Sequence, residues 1–276
     1  MIVIEGVIGW LDLVATIVLA GGIFYSSLVA FPAPLGRRVL RRSVWISAAA
    51  LVFEIAANSF RMHQVSGIGG FALVADVSEM KWSRLWLARA AGLAMIGMGM
   101  RLPRASWHVL SLIALGWLLM RSLQGHAGAH GAVAACVDWA HLSFAAAWLG
   151  GLTQFLLSPT VERRAAALRV RRLATIGAAA VVPSGIYAAL LHIPDWRALV
   201  VTAYGRVLLG KLACVVVLLL LGALNHFLHV PRVGRGDSDA AARLVRTVSV
   251  EIVIGALILM LTAFLGQLPM PHRMGQ

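Results

Sequence analysis

The sequence predicts an all-α polytopic membrane protein: eight transmembrane helices arranged as two parallel four-helix repeats, with both termini outside. Three observations carry this expectation. The chain of 276 residues is 60% hydrophobic and only 13% charged, with a mean hydropathy of +0.86; soluble domains are about half apolar and about a quarter charged. Apolar runs long enough to cross a bilayer recur along the chain, and about 20 residues suffice for a spanning helix. Stretches of the first half also return in the second.

The runs fall near 8–31, 43–60, 83–100, 105–120, 135–157, 173–191, 206–228 and 247–268, the fourth being short. At these lengths only helices satisfy every backbone group in lipid. Most of the 24 lysines and arginines sit in four connectors: Arg37, Arg38, Arg41 and Arg42; Arg101 and Arg104; Arg163, Arg164, Arg169, Arg171 and Arg172; Arg232, Arg235, Arg243 and Arg246. These follow the odd-numbered runs, so the positive-inside rule puts them in the cytoplasm and the termini outside. The net charge of +13 therefore reads as topology and attraction to anionic headgroups, not as a nucleic-acid surface. The amino-terminus has an acid and no base, unlike a cleavable signal. Cys136 and Cys214 form no metal-binding spacing and read as packing residues.

"GWLDLVATIVLAGGIF" near the amino-terminus aligns with "DWAHLSFAAAWLGGL" at 138–152. Trp10 falls on Trp139, Asp12 on His141, and Gly21–Gly22 on Gly150–Gly151. "RRSVWISAAALV" resembles "RRLATIGAAAVV", and "SRLWLARAA" resembles "GRVLLGKLA", which places Arg89 on Lys211. The chain thus divides into a first four-helix repeat at 1–125 and a second at 126–276, with no soluble domain. Parallel repeats are common in transporters and also build haem-binding bundles. The glycine pairs predict close packing of the first and fifth helices near the bundle centre.

Charge inside a spanning helix costs roughly 2.5–3.5 kcal/mol at its centre, so the charged residues inside the runs are candidates. Asp12, Glu54, Arg89 and Lys211 are expected to tune a pathway, or else to form interhelical ion pairs. Glu54, Asn58 and Arg61 share one helical stripe, as do Asp138 and His141. His141, inside a span and beside an acid, is the foremost candidate for a metal ligand or proton-handling group. His126 and His130 in "GHAGAH", Met62 with His63, His192 and His272 are further candidates; the loop histidines also read as ordinary loop residues. His226 and His229 read as decorating a helix end. Imidazole and thioether suit copper, and thioether prefers Cu(I).

Four stretches in order resemble the copper resistance D (CopD-like) family: "DWAHLSFAAAWLGGL", "RRLATIGAAAVVPSGIYAALL", "TAYGRVLLGKLACVVVLLLLGALNHFL" and "RTVSVEIVIGALILMLTAFLGQLP". The resemblance is good over roughly 126–270 and looser before it. Thr202–Lys211 is its most specific part. It implies a bacterial inner-membrane copper transport protein, moving copper from the periplasm toward the cytoplasm and not acting as an enzyme. The family pattern falls on His141, Leu142, Trp148, Gly150 and Gly151, on Thr202, Tyr204, Gly205 and Arg206, and on Gly125 and His126. Many relatives carry a fused copper-binding domain; here the delivering partner is expected to be a separate periplasmic protein. An outward-facing site of His141, Asp138 and His126 follows, with His130, Met62 and His63 as loading ligands. The alternative is a haem b protein using His141 as axial ligand. Against symmetrical bis-His ligation stands Asp12 at the repeat-equivalent position.

Overall fold

The computed structural model describes residues 2–67, 81–102, 106–192 and 197–268. Its elements are α1 (Ile2–Leu28), α2 (Pro34–Ser66), α3 (Lys81–Gly99), α4 (Trp107–Gln124), α5 (His126–Ala129), α6 (Ala132–Ala145), α7 (Gly151–Leu157), α8 (Arg163–His192), α9 (Ala198–Val201), α10 (Ala203–Leu224), α11 (Val230–Gly234) and α12 (Ser238–Leu265). A π turn, Ala146–Gly150, joins α6 to α7, and a second, Asn225–His229, joins α10 to α11. No strand occurs among the described residues.

Six helical stretches are long and apolar enough to cross a membrane: Val3–Leu28, Pro34–Gln64, Ala132–Leu157, Arg163–Leu191, Ala203–Gly234 and Ser238–Leu265. The two remaining long helices, α3 and α4, coincide with the third and fourth expected spans but fall short of those limits. At 19 and 18 residues they are long enough, and what they lack is apolarity. Lys81, Arg84 and Arg89 further lower the apolarity of α3.

Helix α1 is the hub. It packs on α2, α4, α12 and the first π turn, and Ile17, Leu19, Ala20, Ile23 and Tyr25 on it are almost wholly buried. The glycine pairs explain the approach. A Cβ at Gly21 would lie 2.7 Å from the Gly150 Cα, and one at Gly150 would collide with the Ile17 carbonyl oxygen. The backbones touch because neither residue has a side chain, as the sequence predicts. Around this contact the core includes Trp117, Leu118, Ala146, Trp148, Phe155 and Val248.

The aligned tryptophans make matching bonds. Trp10 Nε1 donates to the Ala256 carbonyl on α12 at 2.9 Å, and Trp139 Nε1 donates to the Leu115 carbonyl on α4 at 2.9 Å. The first helix of each half is thus tied to the last helix of the other.

Local rules fix the helix starts. The Thr202 side chain caps α10 by accepting from the Gly205 N–H at 2.9 Å, so the most distinctive motif of the sequence includes a helix-capping device. Asp237 caps α12 by accepting from the Ala240 N–H at 2.9 Å. That bond, with Arg243 and Arg232 nearby, holds the Asp237 carboxyl below the usual carboxylate range. Helix α2 starts instead with proline at its amino-terminal turn and no side-chain cap.

Candidate functional site

Polar groups inside an apolar bundle must find one another, and in the first half they do. Arg89 on α3, nearly inaccessible, donates from Nη1 to Glu54 Oε2 at 2.8 Å and to Gln124 Oε1 at 2.7 Å. Its Nη2 lies 3.5 Å from Asp12 Oδ2. Arg121 on α4 also pairs with Asp12 Oδ2. Trp86 Nε1 donates to Glu54 Oε1 at 3.3 Å. Glu5 and Arg61 pair at 3.0 Å, and Arg61 also donates to Asn58. The expected stripe of Glu54, Asn58 and Arg61 therefore faces one shared space.

That space is a cavity of about 860 Å³. Glu5, Asp12, Glu54, Arg61, Arg89 and Arg121 line it, with Met62 and Gln124 at its wall. Glu5, Asp12 and Glu54 face Arg61, Arg89 and Arg121, so the wall is charge-balanced. Asp12 Oδ1, Arg89 Nε and Gln124 Nε2 are buried without a hydrogen-bond partner among the described residues, which leaves polar capacity in and around the cavity.

The second half places different chemistry at the aligned positions. His141 falls where α1 has Asp12, and Lys211 where α3 has Arg89. Continuing the aligned arginine stretch puts Ser184 at the position of Glu54. These three gather as well. His141 Nδ1 is 2.9 Å from Ser184 Oγ, and Lys211 and Asp138 are charges within Coulomb reach of the imidazole. Gly185 lets the ring lie against α8, since a Cβ there would sit 3.4 Å from His141 Cε1. Pro183 breaks the backbone ladder of α8 beside it.

Ser184 determines the form of the imidazole. Its single hydroxyl proton points to the Ala180 carbonyl at 2.6 Å, with the Val181 carbonyl at 3.1 Å. The hydroxyl oxygen is therefore the acceptor toward His141, and Nδ1 carries the hydrogen. Nε2 is left with its lone pair, the state needed for a metal or a proton.

The expected ligands do not all meet. Met62 lines the first-half cavity, whereas His141 and Asp138 lie outside its lining. His63 and His130 are exposed. The side chains of His126 and His192, and all of His272, lie outside the described residues. No group of three His, Cys, Asp or Glu side chains placed to hold a metal occurs among the described residues. The carboxylates of the cavity are hard donors already engaged by arginine, a poor match for Cu(I).

The structure also corrects two helix-end readings. His229 is buried. His226 is held by Arg171 at 2.9 Å from Nη2 and lies 2.9 Å from Thr175 Oγ1. Arg121, Gln124, Asn225 and Glu251 are polar groups of the interior that the sequence reading passes over. Arg121 lies one residue beyond the expected fourth span, and Glu251 is an acid inside the expected eighth.

These features define a polytopic helical membrane protein with ionisable groups held between its helices. The comparisons refine the class. Residues 164–265 match the family model CopD, copper resistance protein D. The chain is 29% identical over 260 residues to the copper transport protein CutJ of Bacillus subtilis (strain 168), covering 85% of this chain and 46% of that protein; it spans about half the length of that relative. It is 29% identical over 216 residues to copper resistance protein D of Pseudomonas syringae pv. tomato, covering 70% of each. It is 25% identical over 257 residues to the inner membrane protein YebZ of Escherichia coli (strain K12), covering 86% of this chain and 88% of that one. No solved structure matches. Over residues 164–265 the chain is therefore similar to the CopD family, and beyond them it resembles proteins named for copper transport and copper resistance.

Proposed function

We propose that this is a bacterial inner-membrane protein that carries copper ions from the periplasm toward the cytoplasm. His141 and Asp138 are its receiving groups. The carrying observation is the Ser184 contact, which presents His141 with an available Nε2. Asp138 supplies attraction for a cation, while Lys211 opposes its residence. A balanced pair of that kind suits a transfer site better than a store.

In this reading eight helices span the bilayer as two repeats at 1–125 and 126–276, with both termini outside. The crossed tryptophan bonds and the matched triplets Asp12–Glu54–Arg89 and His141–Ser184–Lys211 support the duplication. The arginine-rich end faces the cytoplasm. The first-half cavity is the outer vestibule, with Asp12, Glu54 and Arg89 setting its charge, and Met62, His63, His126 and His130 capture copper from a separate periplasmic copper-binding protein.

The test is copper and iron per chain in detergent-purified protein after Cu(I) exposure, for wild type and His141→Ala. Copper that falls in the variant, followed by uptake into liposomes by wild type, is the expected result. Iron at haem stoichiometry with a Soret band would establish haem ligation by His141 instead. Neither metal would overturn the receiving site.

A further inference from the structure

A second cavity, of about 250 Å³, lies between α8 and α10, toward the arginine-rich end. Its walls are mainly apolar, with Trp148, Phe155, Leu219 and Val248 among them. Yet Glu251, only 2% exposed, lines it. Glu251 takes no part in the site described above.

The surroundings of this carboxyl are specific. Asn225 Nδ2 donates to Glu251 Oε1, and Thr247 Oγ1 donates to Asn225 Oδ1 at 2.5 Å. No hydrogen bond engages Oε2 among the described residues, and that atom is absent from the fully enclosed, unpartnered groups. The two π turns found among the described residues both supply the cavity, the first through Trp148 and the second through Asn225 and His226. Such turns concentrate at functional positions.

The charged and titratable neighbours divide as follows. From α8, Arg171 lines the cavity but is engaged with His226. From the second π turn come His226 and the buried His229, whose Nδ1 lacks a partner among the described residues. Arg232 on α11 and Arg243 on α12 lie within Coulomb reach of His229. Helices α1 and α7 put no titratable side chain into the cavity lining. Glu251 has no ion-pair partner among the described residues. A buried, unpaired carboxylate is costly, and a bound proton would remove that cost. The cavity is large enough for several waters, and Thr175, His226 and Arg171 give it a polar wall.

We propose that Glu251 is a membrane-embedded proton-exchange site: its carboxyl takes up and releases a proton through the cavity between α8 and α10. A metal site is disfavoured by its single carboxyl and amide. The proposal goes beyond the copper reading and stands without it.

The test is infrared spectroscopy of the carboxyl C=O stretch in lipid-reconstituted protein, titrated from mildly acidic to mildly alkaline pH. The expected result is a band that titrates reversibly, shifts in D2O and vanishes in Glu251→Gln. Asn225→Leu keeps the carboxyl but removes its donor, so the same band should persist at a shifted position; this serves if Glu251→Gln does not fold. A carboxyl band that is unchanged in both variants, or does not titrate, would overturn the proposal. Because no copper is added, failure of the copper reading leaves this test intact.

Discussion

The two halves place different chemistry at the same three positions. In the first, Asp12, Glu54 and Arg89 form ion pairs, joined by Arg121. In the second, His141 meets the neutral hydroxyl of Ser184, with Lys211 and Asp138 as nearby charges. One half uses its buried charge on itself. The other sets its imidazole against a hydroxyl and not against a charge. Arg121 stands between them, within Coulomb reach of Asp12, Glu54 and Asp138. The aligned positions thus hold an ion-paired brace in one half and a hydroxyl-bonded imidazole in the other.

The contact that makes this comparison possible is also the most sensitive. Gly21→Val or Gly150→Val drives a side chain into the facing backbone, where a Cβ at Gly21 already comes within 2.7 Å of the Gly150 Cα. We expect loss of the monodisperse folded protein, read by size-exclusion chromatography in mild detergent. Normal folding of both variants would break the account of how the halves meet.

Arg89→Leu should come next. It strands the Glu54 carboxylate and leaves Asp12 to Arg121 alone; breaking a buried pair costs about 3–5 kcal/mol, and the partial exposure of Glu54 places this case at the lower end. Lys211→Leu, at the aligned position, should cost much less stability and change copper loading instead. Thermal unfolding and copper binding measured on both variants sharpen the contrast. Equal stability losses would mean that both halves are braces.

Ser184→Ala removes the group that orients His141. Loss of such an outer partner lowers metal affinity by about 10-fold or more, to be measured by competition with a Cu(I) chelator. Unchanged affinity would show that the tautomer is set elsewhere. The smallest effect belongs to Asp237→Ala, which uncaps α12 and should lower the melting temperature slightly. Because the folded carboxyl titrates lower than in the unfolded chain, its contribution is present above the unfolded value and fades as pH falls through the folded one. The difference between wild type and Asp237→Ala should therefore narrow in acid.

Much of this was legible from residue order. Apolar runs located the long helices, six of which are long and apolar enough to cross a membrane. The repeat alignment found the Gly21–Gly150 contact, because small residues are what close helix packing requires. Polar partners were harder. Arg121 ends the fourth apolar run, yet α4 continues to Gln124 because Asp12 offsets the arginine's charge. Glu251 is passed over in the sequence reading, and its cavity is lined by residues spread from Trp148 to Glu251. Such facts depend on residues far apart in the chain, and hydropathy carries no trace of them.

The crossed tryptophan bonds have a consequence for biogenesis. Trp10 and its acceptor, Ala256, are 246 residues apart. Trp139 and Leu115 are only 24 apart and can meet as soon as α6 is inserted. Synthesis therefore completes one seam early and leaves the other open until α12 arrives. Until then α1 lacks the neighbour that α12 supplies on that flank.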